Sequence, residues 1–174
     1  PSKEDYQIGC EWIEYNNISD IMNLTADILR AIKIEPILQI SNINIPKLIS
    51  TELNISIDIL KNGEISELLK LNCDWLDSLL RVKDIKSLEN IIEKVPNILK
   101  KELETLLEKS REVNYSNIII APMYYGSLKY YNGVYYRVID KNLVLCRGGM
   151  YEADGISSLG FALYTDNLLK MLEG

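Results

Sequence analysis

The stretch GSLKYYNGVYY, Gly126 to Tyr136, places four tyrosines around Asn132-Gly133 in a chain of 174 residues that has eleven tyrosines and a single phenylalanine. Read with a period of two, Tyr131, Gly133 and Tyr135 share one face of a strand, and Tyr130, Asn132, Val134 and Tyr136 share the other. Asn-Gly between β-forming residues is the usual two-residue hairpin turn. Here the tyrosines on both sides, with Val134 and Val138 beyond, predict a strand that runs straight through. A glycine inside a strand marks a close approach by a ligand or by another segment. Tyrosine combines a rigid apolar ring with a hydroxyl that needs a partner when buried. The stretch is therefore either an aromatic-rich edge strand or one wall of a binding pocket.

Working outward, NLVLCRG after a turn at Ile139–Asn142 reads as the next strand, and LGFALY as another. GGMYEADGISS between them reads as a glycine-containing connector. TDNLLKMLEG is a terminal helix, with Thr165 as a candidate cap. Upstream, SNIIIAP is a short buried strand. Nine of the eleven tyrosines lie from Tyr115 onward, so the chemical texture changes there. At the other end, Asp5–Tyr15 alternates as a strand, with Gln7, Gly9 and Glu11 on one face and Ile8, Cys10 and Trp12 on the other. A helical period then runs from Ile18 to Ile32, followed by a strand at Pro36–Ser41. The middle, residues 55–113, is helical in pattern. It has segments at Glu64–Leu80, Ile85–Glu93 and Ile98–Leu107, and Glu102, Glu104 and Glu108 read as solvated positions. The expected fold is α/β (α+β): an antiparallel sheet flanked by helices, with a helical insertion in the middle of one domain spanning residues 1–174.

The composition, 47% hydrophobic and 25% charged, is that of a globular domain with room for a real core. A net charge of −6, without a Lys/Arg run, argues against nucleic acid as a partner. No apolar run is long enough to cross a membrane. There is no histidine, which removes Ser-His-Asp and Cys-His catalysis and imidazole ligands for a metal. Cys10, Cys73 and Cys146 are widely spaced, with no CxxC pair. They read as buried, reduced thiols of a cytoplasmic protein. No cofactor or metal is indicated.

Four pieces in order, YQIGCEWI, GSLKYYNGVYY, GGMYE and GFALYTDNL, resemble the core of histidyl-tRNA synthetases, which are class II aminoacyl-tRNA synthetases. They resemble still more the non-aminoacylating relatives of those enzymes, the regulatory subunits of ATP phosphoribosyltransferase. The family's tyrosine motif, R-G-L-x-Y-Y-T-G-x-x-F, is occupied by Gly126–Tyr136, its G-G-R-Y-D by Gly148–Glu152, and its motif 3 by Gly160–Leu168. Its Q-x-G-x-E falls on Gln7, Gly9 and Glu11. The resemblance covers essentially the whole chain, the middle in texture only, and implies that motif 1 and most of motif 2 lie before Pro1. It implies an amino-acid pocket lined by Gln7, Glu11, Tyr130, Tyr131, Gly133 and Tyr151. The competing reading keeps the tyrosines as sheet packing alone.

The departures bear on activity. The motif 3 arginine, which holds ATP phosphates in the synthetases, is Asn167 here. The tyrosine-motif arginine, which meets the substrate carboxylate, is Gly126. Activating an amino acid with ATP gathers negative charge that needs fixed cations. The leading reading is therefore a non-catalytic regulatory subunit in histidine biosynthesis. It would partner a short-form ATP phosphoribosyltransferase catalytic subunit, form a homodimer and sense free histidine. The alternatives are a divergent histidyl-tRNA synthetase fragment, or an orphan synthetase-like module that binds another ligand or a protein.

Overall fold

The computed structural model describes residues 6–126 and 131–173. Its centre is a six-stranded sheet in the order β1-β6-β5-β4-β2-β3. The strands are β1 (Gln7–Ile13), β2 (Ile37–Asn42), β3 (Ile118–Ile120), β4 (Tyr131–Asp140), β5 (Leu143–Ala153) and β6 (Ile156–Tyr164). All neighbours pair antiparallel except β2 and β3, which are parallel. The sheet is antiparallel as expected apart from this one pair, and the pair explains the helical middle. Parallel neighbours cannot be joined by a tight turn, so the chain must cross over the sheet between them. That crossover consists of α2 (Asn44–Glu52), α3 (Ile57–Lys61), α4 (Ile65–Leu69), α5 (Asp74–Leu80), α6 (Ile85–Ile92) and α7 (Asn97–Arg111).

Helix α2 precedes the expected start of the helical segment. The single helix expected over Glu64–Leu80 is two, broken where Asn72 takes a left-handed backbone, φ 47°. Asparagine tolerates that conformation and ends helices for the same reason. Helix α6 opens with a reciprocal cap, Asp84 accepting from the Ser87 amide at 2.8 Å. Glu102 is not a solvated helix position. It accepts from Asn42 Nδ2 at 2.8 Å and from Asn44 Nδ2 at 3.4 Å, tying α7 to the end of β2.

One face of the sheet is covered by helices. Helix α1 (Ile18–Ala31) lays Ile18, Ile21, Met22, Thr25, Ala26 and Leu29 against β4, β5 and β6, and α7 lies over β2 and β4. The core at this interface includes Leu38, Ile40, Tyr136, Val138, Cys146, Leu159, Leu99 and Leu103, all essentially inaccessible. Helix α8 (Thr165–Glu173) closes the end of the sheet. Thr165 donates through both its amide and its hydroxyl to the carbonyl of Tyr6, at 3.1 and 2.8 Å.

The β5–β6 connection departs from expectation, and β4 has an unexpected bulge. Strand β5 does not end at the glycine pair but continues to Ala153. A two-residue turn, Asp154-Gly155 with φ 52° and 78°, leads directly into β6. Asp-Gly suits this turn because both positions need positive φ. Strand β4 does run through Asn132-Gly133, from Tyr131 to Asp140, with no hairpin turn, but it carries a bulge there. Its register against β5 jumps between Tyr131 and Tyr135, and Gly133 sits at φ 83°. A side chain at Gly133 would meet nothing within 4 Å, so the glycine is required by backbone conformation and not by a close approach.

Only one of the three thiols is buried. Cys146 is inaccessible, while Cys10 and Cys73 are half-buried. Burial pushes the Cys146 thiol up to about 12 from its ordinary value near 9. In the folded protein Cys146 should therefore resist alkylation at pH 8, while Cys10 and Cys73 react. The neutral thiol's contribution to stability is complete below pH 9 and is lost as pH rises from 9 through 12. Peptide mass mapping after brief iodoacetamide treatment checks this. Cys146 labelled as fast as Cys73 in folded protein would contradict it.

Candidate functional site

The sheet face opposite the helices is open, and it carries most of the residues singled out from the sequence. Strand alternation and register build it in rows. One row runs Ser41, Tyr135, Gly149, Gly160, Glu11 across β2, β4, β5, β6 and β1. The next, two residues along each strand, runs Gln39, Arg137, Arg147, Ala162, Gly9. Tyr164 pairs with Gln7 in the row beyond, and Tyr131 with Tyr151 on the other side. The result is a cleft of about 700 Å³ lined by Gln7, Gly9, Glu11, Tyr131, Arg147, Tyr151, Gly160, Phe161, Ala162 and Tyr164.

The glycine pair of β5 explains how tyrosines fit on both sides of one sheet. A Cβ on Gly148 would lie 2.5 Å from Tyr136 Cε1, on the helix side. A Cβ on Gly149 would lie 2.5 Å from Tyr131 Cδ1. Each ring thus packs against a glycine, one on each face. Tyr131 also stacks on Tyr135, with centroids 5.5 Å apart and planes 18° from parallel. Tyr135 is locked in place. Its hydroxyl accepts from the Gly126 amide at 2.8 Å and donates to the Tyr124 carbonyl at 2.7 Å. Burial holds its phenol well above the ordinary range, so it stays neutral. A rigid aromatic wall of this kind suits a flat ring ligand.

The floor of the cleft is bare at Gly160. A Cβ there would come within 3.4 Å of both Glu11 Cγ and Tyr151 Cε1, so those two side chains flank the same small space. Glu11 and Gln7 are exposed on the edge strand β1 and can accept N–H donors from a ligand.

The structure therefore brings Gln7, Glu11, Tyr131 and Tyr151 together. Tyr130 lies outside the described residues. Gly133 is in the bulge of β4 and does not line the cleft; its carbonyl accepts from the Ile43 amide at 3.0 Å.

Two arginines on the same face were missed. Arg147 lines the cleft and donates to the Tyr164 hydroxyl at 3.4 Å. Arg137 lies over the Tyr124 ring, 3.9 Å from its centroid, and donates to the Tyr124 hydroxyl at 2.9 Å and to Gln39 Oε1 at 3.0 Å. The signal was present in the sequence: stepping back by twos from Tyr151 gives Gly149 and Arg147, and forward from Tyr135 gives Arg137. The positions where synthetase-type arginines were sought have structural employment. Asn167 donates to the Val144 carbonyl at 2.8 Å and pins α8 to β5. A Cβ at Gly126 would lie 2.8 Å from the Tyr135 ring. No group of three or more acidic or cysteine side chains that could hold a metal ion occurs among the described residues.

A crystal structure from Bacillus halodurans, titled as an ATP phosphoribosyltransferase regulatory subunit/histidyl-tRNA synthetase, superposes on 97% of this chain and 53% of its own, with a TM-score of 0.73 at 20% identity. The fold is that of a histidyl-tRNA synthetase-like class II core. The subunit complex of ATP phosphoribosyltransferase (HisG:HisZ) from Thermotoga maritima contains the same class II core. It matches 92% of this chain and 66% of that one, with a TM-score of 0.66 at 15% identity. In sequence, the ATP phosphoribosyltransferase regulatory subunit of Wolinella succinogenes is 33% identical over 172 residues, 99% of this chain. The resemblance read from the four motifs thus extends through the class II core, including the helical middle. The chain spans 60% of the length of that curated relative. No family model matches the chain.

Proposed function

We propose that this chain is the class II core of a regulatory subunit of ATP phosphoribosyltransferase, a non-catalytic protein that associates with a short-form catalytic subunit and senses free histidine in the open-face cleft. The observation that carries the proposal is the identity of 33% to a regulatory subunit across 99% of the chain. The site supports the sensing part. Aromatic walls, two N–H acceptors and a cation suit an amino acid with a flat, donor-bearing side chain. Histidine occupancy would act on the partner by favouring one arrangement of the shared interface, and the coupling is reciprocal: partner binding changes histidine affinity by the same factor.

A homodimer in the cytoplasm is part of the proposal. Strand β1 is a sheet edge with Ile8 and Ile13 exposed, 63% and 69% accessible, and such an edge favours coverage by further chain or by a second subunit. No helix among the described residues is long and apolar enough to cross a membrane.

Two measurements on the full-length protein test the function. Co-purification from the native source should recover a short-form ATP phosphoribosyltransferase. Histidine-dependent ATP–pyrophosphate exchange should be absent, and Asn167→Arg should not create it, because Asn167 is engaged in holding α8 to β5 through the Val144 carbonyl and an arginine there would not keep that bond. Robust exchange by the unmodified protein, with no phosphoribosyltransferase recovered, would replace the regulatory reading with a synthetase.

A further inference from the structure

Arg137 and Arg147 face each other in register on β4 and β5. Like charges directly opposite in a sheet repel, and no carboxylate lies within ion-pair distance of either among the described residues. Their partners are neutral: Gln39, Tyr124 and Tyr164. Arg137 Nε is moreover buried with no hydrogen-bond partner. Both arginines border a small hollow beneath Tyr131 and Tyr135, and Arg147 also lines the main cleft. Two uncompensated guanidinium groups beside a cleft form an anion site.

Geometry indicates which anion. The floor at Gly160, flanked by Glu11 and Tyr151, and the row that carries Arg147 are two residues apart along the strands, about 6.6 Å. Glu11, Tyr151 and Arg147 line one cleft from these two rows, and their side chains can close on an amino acid lying between them with its ring at one end and its α-carboxylate at the other. Gln7, paired with Tyr164 one row further, lines the same cleft and offers a side-chain carbonyl to the α-amino group of the same ligand. We propose that Arg147, backed by Arg137, holds the α-carboxylate of the bound amino acid, taking from β5 the role that Gly126 cannot fill. Arg147 sets the charge requirement of the cleft, and Glu11 with Tyr151 sets its preference for a ring bearing N–H donors. The assignment rests on the amino-acid reading of the cleft given above.

Titration calorimetry on the full-length protein tests it with L-histidine, with histamine (the same ring and amine without the carboxylate) and with inorganic phosphate. The expected result is histidine binding about 10- to 100-fold tighter than histamine, the range of one charge-assisted hydrogen-bond set. Arg147→Met should bring histidine down to the level of histamine and leave histamine unchanged, and Arg147→Lys should recover part of the loss. Unliganded melting curves establish that the variants are folded. If Arg147→Met does not fold, the wild-type comparison and Arg147→Lys decide, and equal affinity for the two ligands overturns the assignment. Wild-type affinity for histidine in Arg147→Met overturns the carboxylate site while leaving the amino-acid cleft intact. Phosphate heat that depends on Arg147, with none from histidine, overturns the amino-acid class of ligand. No heat from any of the three overturns both the site and the reading beneath it.

Discussion

Gly148→Ala lowers the melting temperature by roughly 10 °C. The new Cβ would sit 2.5 Å from Tyr136 Cε1, 2.6 Å from Cζ and 2.7 Å from the hydroxyl oxygen. Tyr136 has nowhere to go. It is fully buried, and its hydroxyl shares a 2.6 Å hydrogen bond with Thr25 of α1. Overpacking a core by a methyl group costs about 1–3 kcal/mol. Displacing the ring also leaves two buried hydroxyls poorly satisfied, about 1–3 kcal/mol more. In a domain of this size each kcal/mol lowers the midpoint by about 2–4 °C. The cause is separable by a double-mutant cycle. In a Tyr136→Ala background the ring is gone, and Gly148→Ala should then cost little. A midpoint within 2 °C of wild type for Gly148→Ala alone would show that β5 can shift away from the ring and that the packing described here is loose.

Free histidine raises the melting temperature of the full-length protein by several degrees. A ligand at 100 times its dissociation constant adds about 2.7 kcal/mol to folding stability by mass action. At about 2–4 °C per kcal/mol that is a shift of about 5–10 °C. The effect should depend on Glu11, whose side chain borders the bare floor at Gly160 and, on the proposed function, would accept a ligand N–H. Glu11→Gln keeps the shape and removes the charge. It should weaken histidine binding about tenfold or more, since a hydrogen bond to a charged acceptor contributes about 1.5–3 kcal/mol. Exposed on an edge strand, Glu11 contributes little to folding, so the unliganded midpoint should barely move. A melting curve unmoved by millimolar histidine would return the tyrosines to a purely structural role.

Both predictions depend on elements that were legible to different degrees. The site-bearing strands were readable because alternation is a simple signal. Gln7, Gly9 and Glu11 do share the open face, and Tyr131 and Tyr135 share it with them. The helical middle was readable as helical but not in its breaks. Leucines at helical spacing on both sides of Asn72 mask a single residue with positive φ. The β5–β6 turn carried a clear Asp-Gly signal, but three glycines within eight residues made the segment read as connector. The role of the glycines in GGMYE depends on rings more than ten residues away in sequence, and no local pattern encodes which ring lies over which glycine. Arg137 and Arg147 were overlooked for a different reason. The motif resemblance points to Gly126 and Asn167 for a synthetase's cations, whereas the face itself, followed strand by strand, holds them on β4 and β5.

The pairing of β1 with β6 has a kinetic consequence. Gln7 opposes Tyr164 and Ile13 opposes Ser158, so on the order of 150 residues separate the partners along the chain. The β4–β5–β6 meander closes through two short turns and can assemble locally, whereas β1 must wait for the closure of a very long loop and docks onto an edge already formed. It is also the strand with the most exposed pattern. It should therefore be the first to detach in native-state fluctuations, its amides exchanging with solvent while those of β4 and β5 stay protected. Because β1 carries Gln7 and Glu11, each detachment dismantles the cleft. A bound amino acid would thus act as a latch on the sheet edge, and occupancy would be read out as the lifetime of one strand.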